Sequence, residues 1–104
     1  MKIVKLVESK TEVRAVTEPK FPTHNQFVMK SLLSAVLDKT RLWLALTGIT
    51  KVYLDEKDGS LTFYWDANEP VEIDHTFKNT LEQLLTEVTS DCFRPEVAGK
   101  AAAV

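Results

Sequence analysis

At 104 residues, 44% hydrophobic and 27% charged, the chain can bury one core without a metal or disulfide staple and is too apolar for wholesale disorder. A net charge of −2 argues against a strongly basic nucleic-acid binder, and the lone Cys92 rules out an internal disulfide and suits a reducing compartment. No run approaches the ~18 apolar residues that cross a bilayer, and Met1-Lys2-Ile3-Val4-Lys5 opens no signal-peptide apolar run, so a cytoplasmic location away from membranes is expected.

Residues 2–16 read as two short strands. Ile3, Val4, Leu6 and Val7 form the first apolar group, Val13, Ala15 and Val16 the second, with Ser9-Lys10 between them. β-branched residues favour strands here, although Ile3, Leu6 and Val7 also share a helical face. Residues 17–22, with Pro19 and Pro22, form a connection. Thr23 and Gln26 stand at capping-box spacing and predict a helix from about His24 to Thr47. Its apolar positions Met29, Leu32, Leu33, Val36, Trp43, Leu44 and Leu46 recur at helical spacing. Asp38-Lys39-Thr40-Arg41 interrupts them, as a kink or as a solvated turn, and Gly48 is placed for a left-handed cap.

The next segment predicts a hairpin. Thr50–Leu54 and Ser60–Trp65 flank the turn-rich Asp55-Glu56-Lys57-Asp58-Gly59, whose glycine suits a positive φ. Pairing Leu54 with Leu61 and Val52 with Phe63 puts Val52, Leu54, Leu61, Phe63 and Trp65 on one face. Lys51, Tyr53, Thr62 and Tyr64 then share the other. The apolar set predicts the core side; the second set is the candidate partner-binding surface. After a turn at 66–73, with an extended piece at Val71–Ile73, Asp74 can cap a second helix. Phe77, Leu81, Leu84, Leu85 and Val88 make one apolar stripe along it. Ser90-Asp91-Cys92 ends that helix and Pro95 blocks a restart. These elements predict an α+β fold of order ββαββα: a small antiparallel sheet with two helices packed on one face. They form a single domain over residues 1–95, with a mobile tail at 96–104.

The chemistry-bearing residues are sparse. His24 and His75 are the two histidines, and neither His-Glu-x-x-His nor Cys-x-x-Cys occurs, so no metal site is expected. Cys92 could join a histidine and an acid through tertiary contact, but a cysteine after a helix reads first as a small buried apolar group. Asp55 and Asp58-Gly59 faintly suggest a calcium loop, whose remaining ligand positions are missing. Gly48, Gly59 and Gly99 stand too far apart to cradle a phosphate. No catalytic residue and no cofactor is therefore assigned.

Charge divides along the chain. Residues 1–49 hold eight bases against four acids, and residues 50–104 hold five bases against eleven acids. Such halves read as two solvated faces, or as a polar molecule that self-associates or steers a charged partner. Asp55, Glu56, Asp58, Asp66, Glu69, Glu72 and Asp74 cluster around the hairpin as loop charges, a basic partner groove being the alternative.

The segment Leu46-Thr47-Gly48-Ile49-Thr50-Lys51-Val52-Tyr53-Leu54 loosely resembles the helix–glycine–strand passage of several small α+β families. The N-terminal domain of NifU-like iron–sulfur scaffold proteins is one of them. Any glycine-capped helix before a strand produces that pattern, and the scaffold's cluster-binding cysteines are missing, so no functional residue is carried across and no family is assigned.

The expected function is a non-enzymatic protein-interaction or regulatory module. Its partner would be another protein or a second copy of the chain, bound through Lys51, Tyr53, Thr62 and Tyr64. Trp43, expected in the core, would be an interface anchor if exposed. A single-stranded nucleic-acid binder using the same aromatic face is the alternative, disfavoured by the acidic second half. A small enzyme or ligand-binding domain would require His75, Asp74 or Cys92 to converge in a pocket.

Overall fold

The structure, a computed structural model, describes residues 1–92. The expected tail at 96–104, the stop at Pro95 and the reading of Cys92 as a buried apolar group lie outside the described residues and side chains. The element order is β1 (Lys2–Glu8), β2 (Glu12–Glu18), α1 (Gln26–Thr47), β3 (Ile49–Leu54), β4 (Leu61–Trp65) and α2 (His75–Cys92). The four strands form one antiparallel sheet in the order β1-β2-β4-β3. This is the α+β, ββαββα arrangement that the sequence pattern predicts.

Residues 2–16 resolve as strands, the second continuing to Glu18 at the start of the proline-containing connection. The central hairpin has the register expected from side-chain alternation: Leu54 pairs with Leu61 and Val52 with Phe63. A register shift between Ile49 and Lys51 inserts Thr50 as an extra residue, as in a β-bulge. The N-terminal hairpin joins through β2–β4, with Val13 opposite Phe63 and Ala15 opposite Leu61.

One side of the sheet carries Ile3, Val13, Ala15, Leu61, Phe63 and Trp65 into the core. Met29, Leu32, Val36 and Leu44 of α1 meet them there, as do Phe77, Leu81, Leu85 and Val88 of α2. Phe77 joins the layers, with its ring edge-on to Phe63 at 6.2 Å and tilted against Trp43 at 5.1 Å. Trp43 is half-buried there rather than exposed. The indole N–H of Trp65 donates to the Lys10 carbonyl at 3.0 Å, so burying this ring strands no donor.

Several local expectations are corrected. The α1 N-cap is Asn25, not Thr23: its side chain accepts from the Phe27 and Val28 amides at 3.0 and 3.2 Å. A short asparagine reaches the N2 and N3 amides directly, so the helix begins at Gln26 and the Thr23/Gln26 box does not form. Of the two readings of Asp38–Arg41, the solvated turn holds for Asp38, Lys39 and Arg41, which are exposed, and fails for Thr40. The helix is continuous, and Thr40 is buried with its hydroxyl donating to the Val36 carbonyl at 2.7 Å. Threonine can enter the core because its own helix supplies the acceptor. Leu46 keeps the helical spacing but is 78% exposed, because the packed face runs through Val36, Thr40 and Leu44. Residues 71–73 join neither helix nor sheet, and Val71 is buried.

Other terminal signals match the sequence reading. Gly48 closes α1 at φ 98°, its amide reaching the Leu44 and Ala45 carbonyls. Asp74 caps α2 by accepting from the Phe77 amide at 3.0 Å. Among the described residues, no helix is long and apolar enough to cross a membrane.

Candidate interaction face

The candidate surface is the side of the sheet opposite the helices. Cross-strand registers align Val7, Arg14, Thr62 and Tyr53 in one row and Glu12, Tyr64 and Lys51 in the next. Lys5 lies opposite Val16 farther along β1 and β2. Period-2 alternation therefore gathers Lys51, Tyr53, Thr62 and Tyr64 on one face. Their exposure is uneven. Tyr53 is 65% exposed and Lys51 is exposed, both on edge strand β3. Tyr64 is half-buried and Thr62 only 8% exposed, because β4 runs between β2 and β3 and their side chains flank it.

The N-terminal hairpin does not cover this face but widens it. Val4, at the register shift in β1, is 51% exposed; Val7 is exposed and Val16 half-buried. Sequence reasoning missed these valines and Arg14 as neighbours of the tyrosines. The alternation in Glu12–Thr17 carries the signal: Val13, Ala15 and Thr17 point inward while Glu12, Arg14 and Val16 point outward. The partner strand, however, has no local marker.

The turn between β3 and β4 reaches the edge of this surface. Asp58 accepts from the Ser60 amide at 2.9 Å and from its hydroxyl at 2.7 Å, while its other oxygen lies 3.5 Å from Arg14. The Ser60 hydroxyl and amide, with smaller help from Arg14 and Lys20, hold the Asp58 carboxyl below its usual range. A depressed folded-state pKa stabilises the fold above the unfolded carboxyl pKa, and that contribution is lost as pH falls through the folded value. Ser60→Ala is expected to raise the Asp58 pKa and move this loss to higher pH. An NMR titration of the Asp58 carboxyl carbon checks it, and an unchanged midpoint would contradict the assignment.

Other acids near the hairpin are also used locally. Asp55 accepts from the Lys57 amide at 2.8 Å and Asp66 from the Asn68 amide at 2.8 Å. With Asp58 and Asp74, they serve turns and a helix cap, so the sequence cluster is not a converging set of carboxylates. Among the described residues, no three His, Cys, Asp or Glu side chains group as metal ligands.

Of the three residues named for an enzyme or ligand site, Asp74 and His75 line one groove and Cys92 stands apart from them. His75 opens α2 and Cys92 ends it, so their backbones stand roughly 25 Å apart at ~1.5 Å per residue. His24 is exposed just before α1. Shallow grooves border the helices: one of about 370 Å³ between α1 and β3, lined by Leu37, Arg41, Leu44 and Val52 among others, and one of about 330 Å³ beside Leu6, Asp74, His75 and Lys78. The chain matches no protein family, no curated protein and no solved structure.

Proposed function

We propose that this chain is a non-enzymatic protein-interaction module that docks a protein on the outer face of its sheet. The observation supporting this is that both helices pack on the inner side, leaving Val4, Val7 and Tyr53 exposed to water beside half-buried Val16 and Tyr64. Val7 and Val16 at one side of the face and Tyr53 and Tyr64 at the other, with Arg14 and Thr62 between them, gain free energy when a partner removes them from water. Tyrosine suits such a contact because its rigid ring buries area while its hydroxyl retains a hydrogen bond. Lys5, Arg14 and Lys51 share this face with Glu12, and Asp58 lies 3.5 Å from Arg14 at its edge, so the surface is mixed in sign. That favours a protein partner over a polyanionic strand.

Co-precipitation from the native cell extract tests the reading, with Tyr53→Glu/Tyr64→Glu as the control. The double variant is expected to lose a captured protein, with affinity reduced at least about tenfold, while circular dichroism remains that of the folded chain. Equal capture by the folded double variant would overturn this docking face. Salt-sensitive binding of oligo(dT) that the variant abolishes would instead favour the nucleic-acid alternative.

A further inference from the structure

The two sheet edges are finished differently. On β1, the Ile3 amide donates to the Glu82 carboxylate at 2.9 Å, and the Met1 carbonyl accepts from the Thr86 hydroxyl at 2.8 Å. A register shift interrupts the same strand between Ile3 and Lys5, and Leu6 and Glu8 border Ile73, Asp74 and His75. These features blunt an edge against further pairing.

On the opposite edge, β3, α1 residues Leu37, Arg41 and Ala45 border Thr50–Val52 across a groove, but among the described residues no side chain hydrogen-bonds its outward backbone groups as Glu82 does on β1. Its register shift lies before Lys51, leaving Lys51 to Leu54 regularly paired with β4. The Asp55 amide donates to the Ser60 carbonyl at 2.9 Å, and the Trp65 amide donates away from β3 to Thr11 at 3.0 Å. Backbone groups alternate in direction along an antiparallel strand. Those of Tyr53 therefore face β4, while the amides and carbonyls of Val52 and Leu54 point outward.

We infer that the β3 edge pairs antiparallel with β3 of a second copy of this chain, centred on Tyr53, to make one continuous sheet. This rests on the reading of the chain as an interaction module and identifies one of its partners. The register follows from charge and hydrogen-bond direction. A two-fold axis at Tyr53 sets Lys51 opposite Asp55 of the second copy, and Asp55 opposite its Lys51. Val52 and Leu54 then stand opposite Leu54 and Val52 as mutually hydrogen-bonded pairs. The tyrosines meet at the axis. Moving the centre to Leu54 opposes Lys51 to Lys57, while moving it to Val52 opposes Asp55 to Ile49; both lose the ion pairs.

Lys51 and Asp55 are exposed, and neither joins an ion pair among the described residues. One Asp55 oxygen accepts from the Lys57 amide, leaving the other for the opposing lysine. The axis runs perpendicular to the sheet, so the helices of both copies stay on one side. The outer faces merge into a single surface twice as wide.

Sedimentation equilibrium of the whole chain is expected to give twice the 11.8 kDa chain mass at high concentration. Lys51→Asp and Asp55→Lys each oppose like charges and should raise the dimer Kd about tenfold or more at low salt, whereas the double exchange should return it to within about threefold. Val52→Pro removes an outward amide that the monomer does not use, so dimerisation should disappear while circular dichroism is retained.

A wild-type chain that stays monomeric, a dimer indifferent to Val52→Pro, or a folded double exchange that fails to restore pairing would overturn the inference. Tyr64→Glu, outside the edge contact, should leave the dimer intact. Loss of protein capture by that variant in a monomeric wild-type chain would sink the edge pairing and leave the docking face standing. An intact dimer with unchanged capture would do the reverse.

Discussion

Replacing Phe63 by alanine is expected to lower stability by about 3–5 kcal/mol, the usual cost of emptying a fully buried phenylalanine site. Phe63 is 0% exposed, lies opposite both Val13 and Val52, and meets Phe77 edge-on. Its removal breaks contacts to two neighbouring strands and to α2 together, so no single element can relax into the space. Small domains are commonly stable by only ~5–15 kcal/mol, so this substitution should take a large share. Thermal unfolding followed by circular dichroism should show the midpoint falling by at least about 12 °C. A fall under a few degrees would mean that the space is filled by rearrangement.

The second large effect is expected at Gly59. Its φ is 73°, and an added Cβ would lie 2.8 Å from the Phe21 carbonyl oxygen and 3.1 Å from the Phe21 nitrogen. The left-handed backbone alone costs a residue with a side chain about 1–2 kcal/mol. The clash adds to that because both nearest atoms are backbone and cannot rotate away. Phe21 is itself buried, so moving its peptide also disturbs the core. Gly59→Ala should therefore lower the urea midpoint by more than the equivalent of the ~1–2 kcal/mol that the left-handed backbone alone costs. An unchanged midpoint would contradict the close approach of the 19–22 connection to the β3–β4 turn. Gly48 differs: an added Cβ there meets the Val71 side chain at 3.3 Å, where the neighbour can turn aside.

The parts of the fold legible in the sequence are those with a local physical cause. The β3–β4 register follows from alternating apolar residues around a glycine-containing turn, and Asp74 and the Phe77–Val88 stripe mark α2. Asn25 shows how a cap can be misplaced by two residues. Several neighbouring polar side chains could accept the first-turn amides, and the Thr23/Gln26 spacing competed with the shorter reach of asparagine. Leu46 and Thr40 reversed their expected environments because helical spacing fixes a set of faces but not which one meets the sheet.

The candidate face was partly legible for the same reason. Lys51, Tyr53, Thr62 and Tyr64 belong to one hairpin, so local alternation gathers them. What Val4, Val7, Arg14 and Val16 add depends on the β2–β4 pairing, a contact between distant segments with no spacing rule. That pairing also makes β4 interior to the sheet, which is why Thr62 is nearly covered while Tyr53 on the edge is open. The two edges had no sequence signature at all: Glu82 and Thr86 reach β1 from the far end of the chain.

Docking on the outer sheet face, rather than on the exposed helix surface, is the proposal with the most to lose. Site-specific photo-crosslinking in the native extract tests it most directly, with the photoreactive residue at position 7 or 53 in one pair of proteins and at exposed Leu42 or Leu46 in another. A discrete protein adduct is expected from positions 7 and 53 and none from 42 and 46; an adduct confined to the helix positions would place the partner on α1 instead.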